Sequence, residues 1–476
     1  MMKRCSSFEK VIELSFYFII AFCAIWKIIP TINERGFWSD ELFTAAVVRY
    51  HPILDSQFER KTVMQIKMND SFLTVKAGEQ HPPMYDLSLK GWASLFGDSE
   101  LSLRGFNIFL IALTSITILV SCWRRKNYPL GTLISITTLV VLWHPVTQSY
   151  ATQARSYTFF LMLSLLCLLA FNKIKEAGHN ESMWRLTFYT LATISFLTHY
   201  YMAVFIGAVY IFIAYSDLKQ RRYVLPLIPV PFVFSWIFLS YHSLLFTASG
   251  GVAWSQISYI QALQSMLHIM YGYFGVSSIL VALSSVYFIC KRKTSETQVS
   301  ICIAVSICVL AFVCKKSGIL HPRHFIFIIP WCVYLMLNLT LSLSKNRFFI
   351  LAIASIIVFI SPAAGTQASV YADEQYKEAA KFISEKYSGK DYKIYATWSP
   401  NEAYYRYYLE NYASGHVSVD MLSSISDVDK TCSYINKNNV VLYAHHSHDD
   451  VINAFESCLS TFTRTNFDGV VVIAKP

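Results

Sequence analysis

The chain has 476 residues, of which 54% are hydrophobic and only 15% charged, and its formal net charge is +10. A soluble domain holds about 25% charged residues, whereas here the apolar residues gather into blocks of about 17–22, the length that crosses a ~30 Å hydrocarbon core. These figures exclude a soluble enzyme, a disordered chain, a disulfide-rich secreted scaffold and an outer-membrane barrel, whose strands would alternate polar and apolar residues. They leave an α-helical polytopic membrane protein.

In chain order, Lys3, Arg4 and Lys10 precede an apolar run from Val11 to Ile29. No small-residue cleavage site follows it, so it reads as a retained first span with a cytoplasmic N-terminus. Ten more candidate spans follow, at about 104–122, 129–146, 156–171, 186–198, 202–215, 224–241, 271–290, 298–314, 324–342 and 347–365. About 11 transmembrane helices starting inside put Arg124-Arg125-Lys126, Lys173/Lys175/Arg185, Lys219/Arg221/Arg222, Lys291-Arg292-Lys293 and Lys345/Arg347 in the cytoplasm. Every one of those loops is basic, as the positive-inside rule requires. The basic excess therefore orients helices, and no nucleic-acid partner is implied.

Odd parity places the tail outside, along with a first loop at about 30–103 and a second at about 242–270. The predicted organisation is a transmembrane domain over 1–365 and a small extracytoplasmic α/β domain over 366–476. That tail holds 10 Lys and Arg against 14 Asp and Glu, so its sign is opposite to the rest of the chain. Lys393–Thr397, Val440–Ala444 and Val470–Ala474 read as strands. Cys432 and Cys458 are its only cysteines; an oxidising exterior allows them to pair, and the sequence weighs a disulfide and two free thiols about equally.

The polar clusters that such a chain does not need for insertion lie on the exterior side. Gly36-Phe37-Trp38-Ser39-Asp40-Glu41 opens the first loop, with Ser39 read as the N-cap of a helix to about Arg49. Adjacent helical residues point about 100° apart, so Asp40 and Glu41 divide two jobs, one as a base in a cavity and the other holding a metal or a structural partner. The plain alternative is that both complement the helix N-terminus. His81-Pro82-Pro83-Met84-Tyr85 holds a histidine just outside a helix start, because prolines begin helices and do not sit within them. Gln153-Ala154-Arg155-Ser156-Tyr157, His199-Tyr200-Tyr201, Lys315-Lys316 and His321-Pro322-Arg323-His324 follow at span ends. Snorkelling is the plain alternative for Lys315 and Lys316. Arg155, Arg323 and His324 share the face of Asp40 and His81, and cations at that leaflet suit an anionic lipid headgroup. His445-His446-Ser447-His448-Asp449-Asp450 lacks the spacing of a tetrahedral site and reads as a solvated loop. Tyr404, Tyr408 and Tyr412 share a helix face and read as packing.

Taken in order, Trp38-Ser39-Asp40-Glu41, His81-Pro82-Pro83-Met84-Tyr85, Ser99-Glu100-Leu101-Ser102-Leu103-Arg104, Gln153-Ala154-Arg155-Ser156-Tyr157 and His199-Tyr200-Tyr201 resemble the C-type (GT-C) glycosyltransferase superfamily, near its protein O-mannosyltransferase and aminoarabinose-transferase branch (glycosyltransferase family 39-like). The resemblance covers the first 200 residues or so and extends more loosely through Arg323-His324. It implies an enzyme that takes a sugar from a polyprenyl-phosphate carrier, with Asp40 as the active-site carboxylate, Arg155 and Arg323 on the carrier phosphate, and His81 and Tyr85 shaping the site. At Gln153 the chain departs from relatives that hold a carboxylate there.

Chemistry leads to the same set. The acceptor hydroxyl needs a base, for which Asp40 or Glu41 is available. The departing phosphate needs cations, supplied by Arg155, Arg323, His324 and Lys316. Sugar and isoprenoid need apolar and aromatic surfaces, offered by Trp38, Tyr85, Tyr157, Tyr200 and Tyr201 beside His81 and His199. No metal ligands are assigned, and a divalent-cation requirement is left open. The expected activity is transfer from a polyprenyl-phosphate-sugar donor to a glycan or glycolipid of the cell envelope, of lipopolysaccharide type, at the periplasmic face of a bacterial inner membrane. A protein O-glycosyltransferase of the same fold and, from another class, a lipid or sugar flippase are the alternatives.

Overall fold

The structure is a computed structural model that describes residues 7–54, 67–79, 81–123, 128–176, 180–248, 257–317, 321–344, 346–362, 374–388, 390, 392–397, 402–412, 418–445 and 448–475. In chain order the helices are α1 (Ser7–Ile28), α2 (Ser39–Tyr50), α3 (Phe72–Gly78), α4 (Met84–Phe96), α5 (Glu100–Trp123), α6 (Tyr128–Trp143) and α7 (Pro145–Tyr150). There follow α8 (Ser156–Lys175), α9 (Glu181–Phe196), α10 (Tyr200–Lys219), α11 (Pro229–Leu239), α12 (Tyr241–Ala248), α13 (Tyr259–Phe274) and α14 (Ser278–Lys291). The last group is α15 (Thr294–Ser317), α16 (Ile329–Leu343), α17 (Arg347–Ile360), α18 (Tyr376–Lys386), α19 (Glu402–Tyr412), α20 (Ile425–Lys437) and α21 (Asp449–Ser457). They form two compact units. One comprises Met1–Ile32, Gln80–Tyr85 and Arg104–Gln367, the other Asn33–Glu79, Asp86–Leu103 and Ala368–Pro476. The stretch expected as the first exterior loop thus groups largely with the tail.

The first unit is the membrane part. Among the described residues, seven stretches are long and apolar enough to cross a bilayer, namely Val11–Asn33, Glu100–Trp123, Tyr157–Lys175, Tyr200–Lys219, Tyr259–Lys291, Ser295–Lys315 and Ile326–Leu343. Leu130–Trp143, Leu225–Leu239 and Phe349–Ile360 are shorter apolar helices. Each predicted span overlaps one of these or α9. The last carries a cation inward: Arg185 is buried and pairs with the buried Asp217 of α10 at 2.6 Å, so Arg185 is a helix residue and not the loop residue expected. Exposed apolar side chains such as Phe16, Ile19, Phe22 and Trp26 line α1 where lipid replaces water.

The stretch expected as a second exterior loop, about 242–270, holds α12 and most of α13. Helix continues from Tyr259 to Lys291 with one interruption at Gly275, whose φ is +54°. A Cβ there would meet the Ile360 carbonyl oxygen at 3.0 Å, so both the left-handed turn and the close approach require glycine.

In the second unit the tail forms a five-stranded sheet of order β2-β1-β3-β5-β4, from β1 (Lys393–Ala396), β2 (Val419–Met421), β3 (Val440–His445), β4 (Thr463–Phe467) and β5 (Val470–Ala474). β1 pairs in parallel with β2 and β3, and β5 pairs antiparallel with β3 and β4. Strand side chains alternate between faces. Leu442, Ala444, Val471 and Ile473 therefore meet Val428, Ile435, Val451 and Phe455 of α20 and α21, while Tyr443 on the other face meets Tyr376 of α18 and Tyr405 of α19. The three strands expected are present. β2 and β4 are additional; one is three residues long and the other reads Thr-Arg-Thr-Asn-Phe, too polar to signal a strand. Cys432 and Cys458 are disulfide-bonded.

Lys76 of α3 is fully buried in this unit, paired with Glu79 and, at 2.6 Å, with Asp86 of α4. Removing the cation takes this counter-charge away from two buried carboxylates. Lys76→Met is therefore expected to cost about 3–5 kcal/mol and to lower the melting temperature of the detergent-purified chain; a variant that melts with the wild type would contradict the pairing.

Candidate active site

Three separated stretches of the first unit meet at its span ends. Pro82 and Pro83 have no N–H to donate, so the first free donor after His81 is Met84, whose N–H gives a 2.9 Å hydrogen bond to the Leu197 carbonyl. Leu197 is the C-cap of α9, where carbonyls lack helical partners. This bond brings the histidine-proline turn to the junction of α9 and α10. There His199 is the N-cap of α10, and its Nδ1 accepts from Tyr201 N–H at 3.3 Å. The third stretch is a single turn at Pro322–His324, tied down by Tyr273 of α13, whose hydroxyl donates to the Pro322 carbonyl.

The result is a cluster of imidazoles. His199 Nε2 lies 3.1 Å from His324 Nδ1. The His81 ring centroid is 6.0 Å from that of His199 and 6.4 Å from that of His324. Phe160 at 5.0 Å and Tyr201 at 5.5 Å flank His199, and Tyr157 meets His324 edge-on at 6.2 Å. Burial holds His199 and His324 well below the usual imidazole range. His81 and Arg155 add to the effect at His199; His199, Arg323, His81 and His321 add to it at His324. Both rings are therefore neutral near pH 7, and the three nitrogens form the candidate metal-ligating set among the described residues.

Beside the cluster, α7 turns into α8 through residues 151–155. Arg155 N–H bonds the Gln153 carbonyl at 2.7 Å, and the Asn107 amide of α5 donates to the same carbonyl. Arg155 is buried, and the Arg323 guanidinium sits 5.8 Å from the Tyr157 ring. Tyr150 and Tyr157 pack 5.0 Å apart. Their hydroxyls, both polar atoms of the Gln153 amide and the Thr158 hydroxyl are buried with no hydrogen-bond partner among the described residues. Such groups normally find one, which marks the turn as a place where a polar ligand would be held. Tyr150 and Thr158 escaped the sequence reading, since nothing local distinguishes them from packing residues; Tyr273 gave no signal either.

The remaining expected residues are distributed as follows. Tyr85 is buried between Phe106 and Phe159, at 6.0 and 5.9 Å. Tyr200 accepts from the Trp236 indole at 3.0 Å, a packing contact. The Lys316 side chain lies outside the described residues. In the second unit α2 begins at Ser39 with Trp38 as its N-cap, so Ser39 is the first helical residue and not the cap expected. Ser39 N–H donates to Glu374 at 2.7 Å, and the fully buried Glu41 accepts from Trp38 N–H at 3.4 Å. Glu41 thus takes the capping job, Asp40 remains half-buried on the first turn, and Trp38 is buried.

A family model described as dolichyl-phosphate-mannose-protein mannosyltransferase matches residues 80–246, a span that holds the histidine-proline turn, the α7–α8 turn and the α9–α10 junction. Among solved structures, the chain is similar to ArnT from Cupriavidus metallidurans bound to undecaprenyl phosphate, with a TM-score of 0.63 and 13% identity over 98% of both chains. It is also similar to the archaeal oligosaccharyltransferase AglB from Archaeoglobus fulgidus in complex with an inhibitory peptide and a dolichol-phosphate, with a TM-score of 0.51 and 11% identity over 99% of this chain and 75% of that one. At these identities the likeness shows the fold. None of the curated proteins matches the chain in sequence.

The neutral histidines give a pH signature. An unfolded histidine titrates near pH ~6.5, above His199 and His324 in the fold, so below that pH the unfolded chain binds more protons. Stability is then lost on acidification, at up to about 1.4 kcal/mol per pH unit for each histidine. Between about pH 7 and about pH 5 the melting temperature of His324→Asn should fall less steeply than that of the wild type; equal slopes would contradict neutral burial.

Proposed function

We propose, from the premise that this membrane-spanning chain has the C-type glycosyltransferase fold, that it moves a sugar from a polyprenyl-phosphate carrier to a hydroxyl of an acceptor. The observation that carries the reading is the junction itself. The three motifs inside the family match, together with the Pro322–His324 turn, gather at one end of the spans, where a lipid-anchored phosphate presents itself. Buried guanidinium and imidazole groups there suit an anion, and the unpartnered Gln153, Tyr150 and Tyr157 groups suit the hydroxyls of a sugar.

In this mechanism the acceptor oxygen attacks the anomeric carbon while the bond from that carbon to the carrier phosphate oxygen breaks. The hydroxyl proton passes to Asp40, acting as general base. The electron pair of the broken bond leaves on the polyprenyl phosphate, held by Arg155 and Arg323 with His324 and Lys316 near it in the chain. Trp38, His81, Tyr85, Tyr157, His199 and Tyr200 shape the surroundings, and Glu41 supports the helix that carries Asp40. One displacement inverts the anomeric centre.

The basic loops argue that this end of the spans faces away from the cytoplasm. The reading is therefore a bacterial inner-membrane enzyme with its tail in the periplasm, acting on an envelope glycan or glycolipid of lipopolysaccharide type. The name carried by the matching family model favours a second acceptor class, a protein hydroxyl, for the same chemistry.

With a radiolabelled polyprenyl-phosphate sugar and envelope acceptors, Asp40→Asn should reduce transfer by about 10²–10⁴-fold, the usual worth of a general base, without lowering the melting temperature; undiminished transfer would remove Asp40 as the base. Arg155→Ala should weaken donor binding by at least about tenfold, and unchanged affinity would remove it from the phosphate. Nuclear magnetic resonance of the product should show the anomeric configuration opposite to that of the donor, and retention would exclude a single displacement.

A further inference from the structure

At the other end of the same spans, α1, α5 and α6 enclose a cavity of about 330 Å³, lined by Glu13, Tyr17, Cys122, Trp123, Thr132 and Ser135 among others. Asn107, early in α5, bonds the Gln153 carbonyl beside the histidine junction, and α6 ends at Trp143 just before α7. The cavity lies where α5 ends and α6 begins, so it is remote from that junction. About 11 residues of α6 separate Thr132 from Trp143, or roughly 16 Å at ~1.5 Å per residue. Trp123 closes α5 and is exposed, and Arg124-Arg125-Lys126 follow it in the sequence. An aromatic residue followed by a basic run marks the level of a leaflet's headgroups.

Glu13 gives this cavity its chemistry. It sits half-buried in a helix that otherwise exposes Val11, Ile12, Phe16 and Ile19, and a carboxylate within a span is rare and costly. Its Oε1 accepts from the Tyr17 hydroxyl and, at 3.3 Å, from Thr132 Oγ1. Among the described residues Oε2 has no donor and Glu13 has no ion pair. The Ser135 hydroxyl, buried one turn after Thr132 on α6, likewise has no hydrogen-bond partner among them. We infer that the cavity binds the primary ammonium of a phosphatidylethanolamine-type lipid from the adjoining leaflet. An ammonium carries three N–H donors, and Glu13 Oε2, Thr132 Oγ1 and Ser135 Oγ offer acceptors on one cavity, the first of them charged. The volume admits such a headgroup but not the acyl chains, which run along the apolar side chains that α1 exposes. A quaternary choline has no N–H to donate, and an anionic headgroup is repelled by the carboxylate. The site therefore selects its lipid by headgroup chemistry, and the bound ammonium supplies a counter-charge for Glu13.

The test is native mass spectrometry of the full-length chain in detergent, given equal amounts of dioleoyl phosphatidylethanolamine, phosphatidylcholine and phosphatidylglycerol. The wild type is expected to retain one phosphatidylethanolamine, at least about tenfold more tightly than either of the others. A chain that holds the three alike, or prefers one of the other two, overturns the inference without any variant. Glu13→Gln should reduce the preference by about tenfold. Thr132→Val, which nearly keeps the side-chain shape and decides the matter if Glu13→Gln does not fold, should reduce it by about two- to tenfold. An unchanged preference in the folded variant overturns the site. Glycerophosphoethanolamine, the same headgroup without chains, should not displace the lipid at equal concentration; displacement would assign the cavity to a soluble amine and overturn the lipid as its occupant.

Discussion

The arrangement of the candidate site depends on one hydrogen bond and on the reason it is available. Two consecutive prolines after His81 leave the start of α4 without donors of its own until Met84, and the C-terminus of α9 leaves Leu197 with a carbonyl that its helix cannot satisfy. Joining the two, at 2.9 Å, fixes the turn that carries His81 against the residue pair that precedes α10. His199 is then within ring contact of His81, and the Pro322–His324 turn closes the group from the far side of the sequence. A histidine on a turn is ordinarily free to face water; here it is held by backbone bonds that the prolines make unavoidable.

Electrostatics gives that geometry its character. The junction brings together Arg155, Arg323, His81 and the neutral imidazoles of His199 and His324, with the polar atoms of Gln153, Tyr150 and Tyr157 buried beside them. In an isolated fold this is a poor bargain, because burial disfavours charge and leaves polar groups without water. A ligand with several hydroxyl groups would answer the unmet hydrogen bonds of Gln153, Tyr150 and Tyr157. Buried charges are also paired with each other in the fold, Arg185 with Asp217 at 2.6 Å and Lys76 between Glu79 and Asp86.

Most of the membrane part was legible because hydropathy depends on local composition, and the apolar blocks coincide with helices. The error between residues 242 and 270 came from the mixed polarity of Tyr259–Phe274, which hides a helix that reaches Gly275. In the tail, β3 is buried from Val440 to Ala444 and β5 along its whole length, and both declare themselves as apolar runs, whereas β4 alternates exposure on polar residues. The caps show a subtler limit: Ser39 has the right chemistry for an N-cap, but Glu374, far along the chain, serves its N–H instead. Each motif histidine was visible by itself. Their union was not, because residues 81, 199 and 324 become neighbours only through tertiary contacts, and no periodicity in the sequence encodes that.

In the proposed reaction a lipid-linked phosphate is held at the cluster of the first unit. The most direct measurement is an electron cryomicroscopy map of the full-length chain with undecaprenyl phosphate. Phosphate density is expected within hydrogen-bond reach of the Arg155 and Arg323 guanidinium groups, beside His199 and His324, with the isoprenoid running into the bilayer. Phosphate density held at another part of the molecule, with both arginines turned away from it, would contradict it.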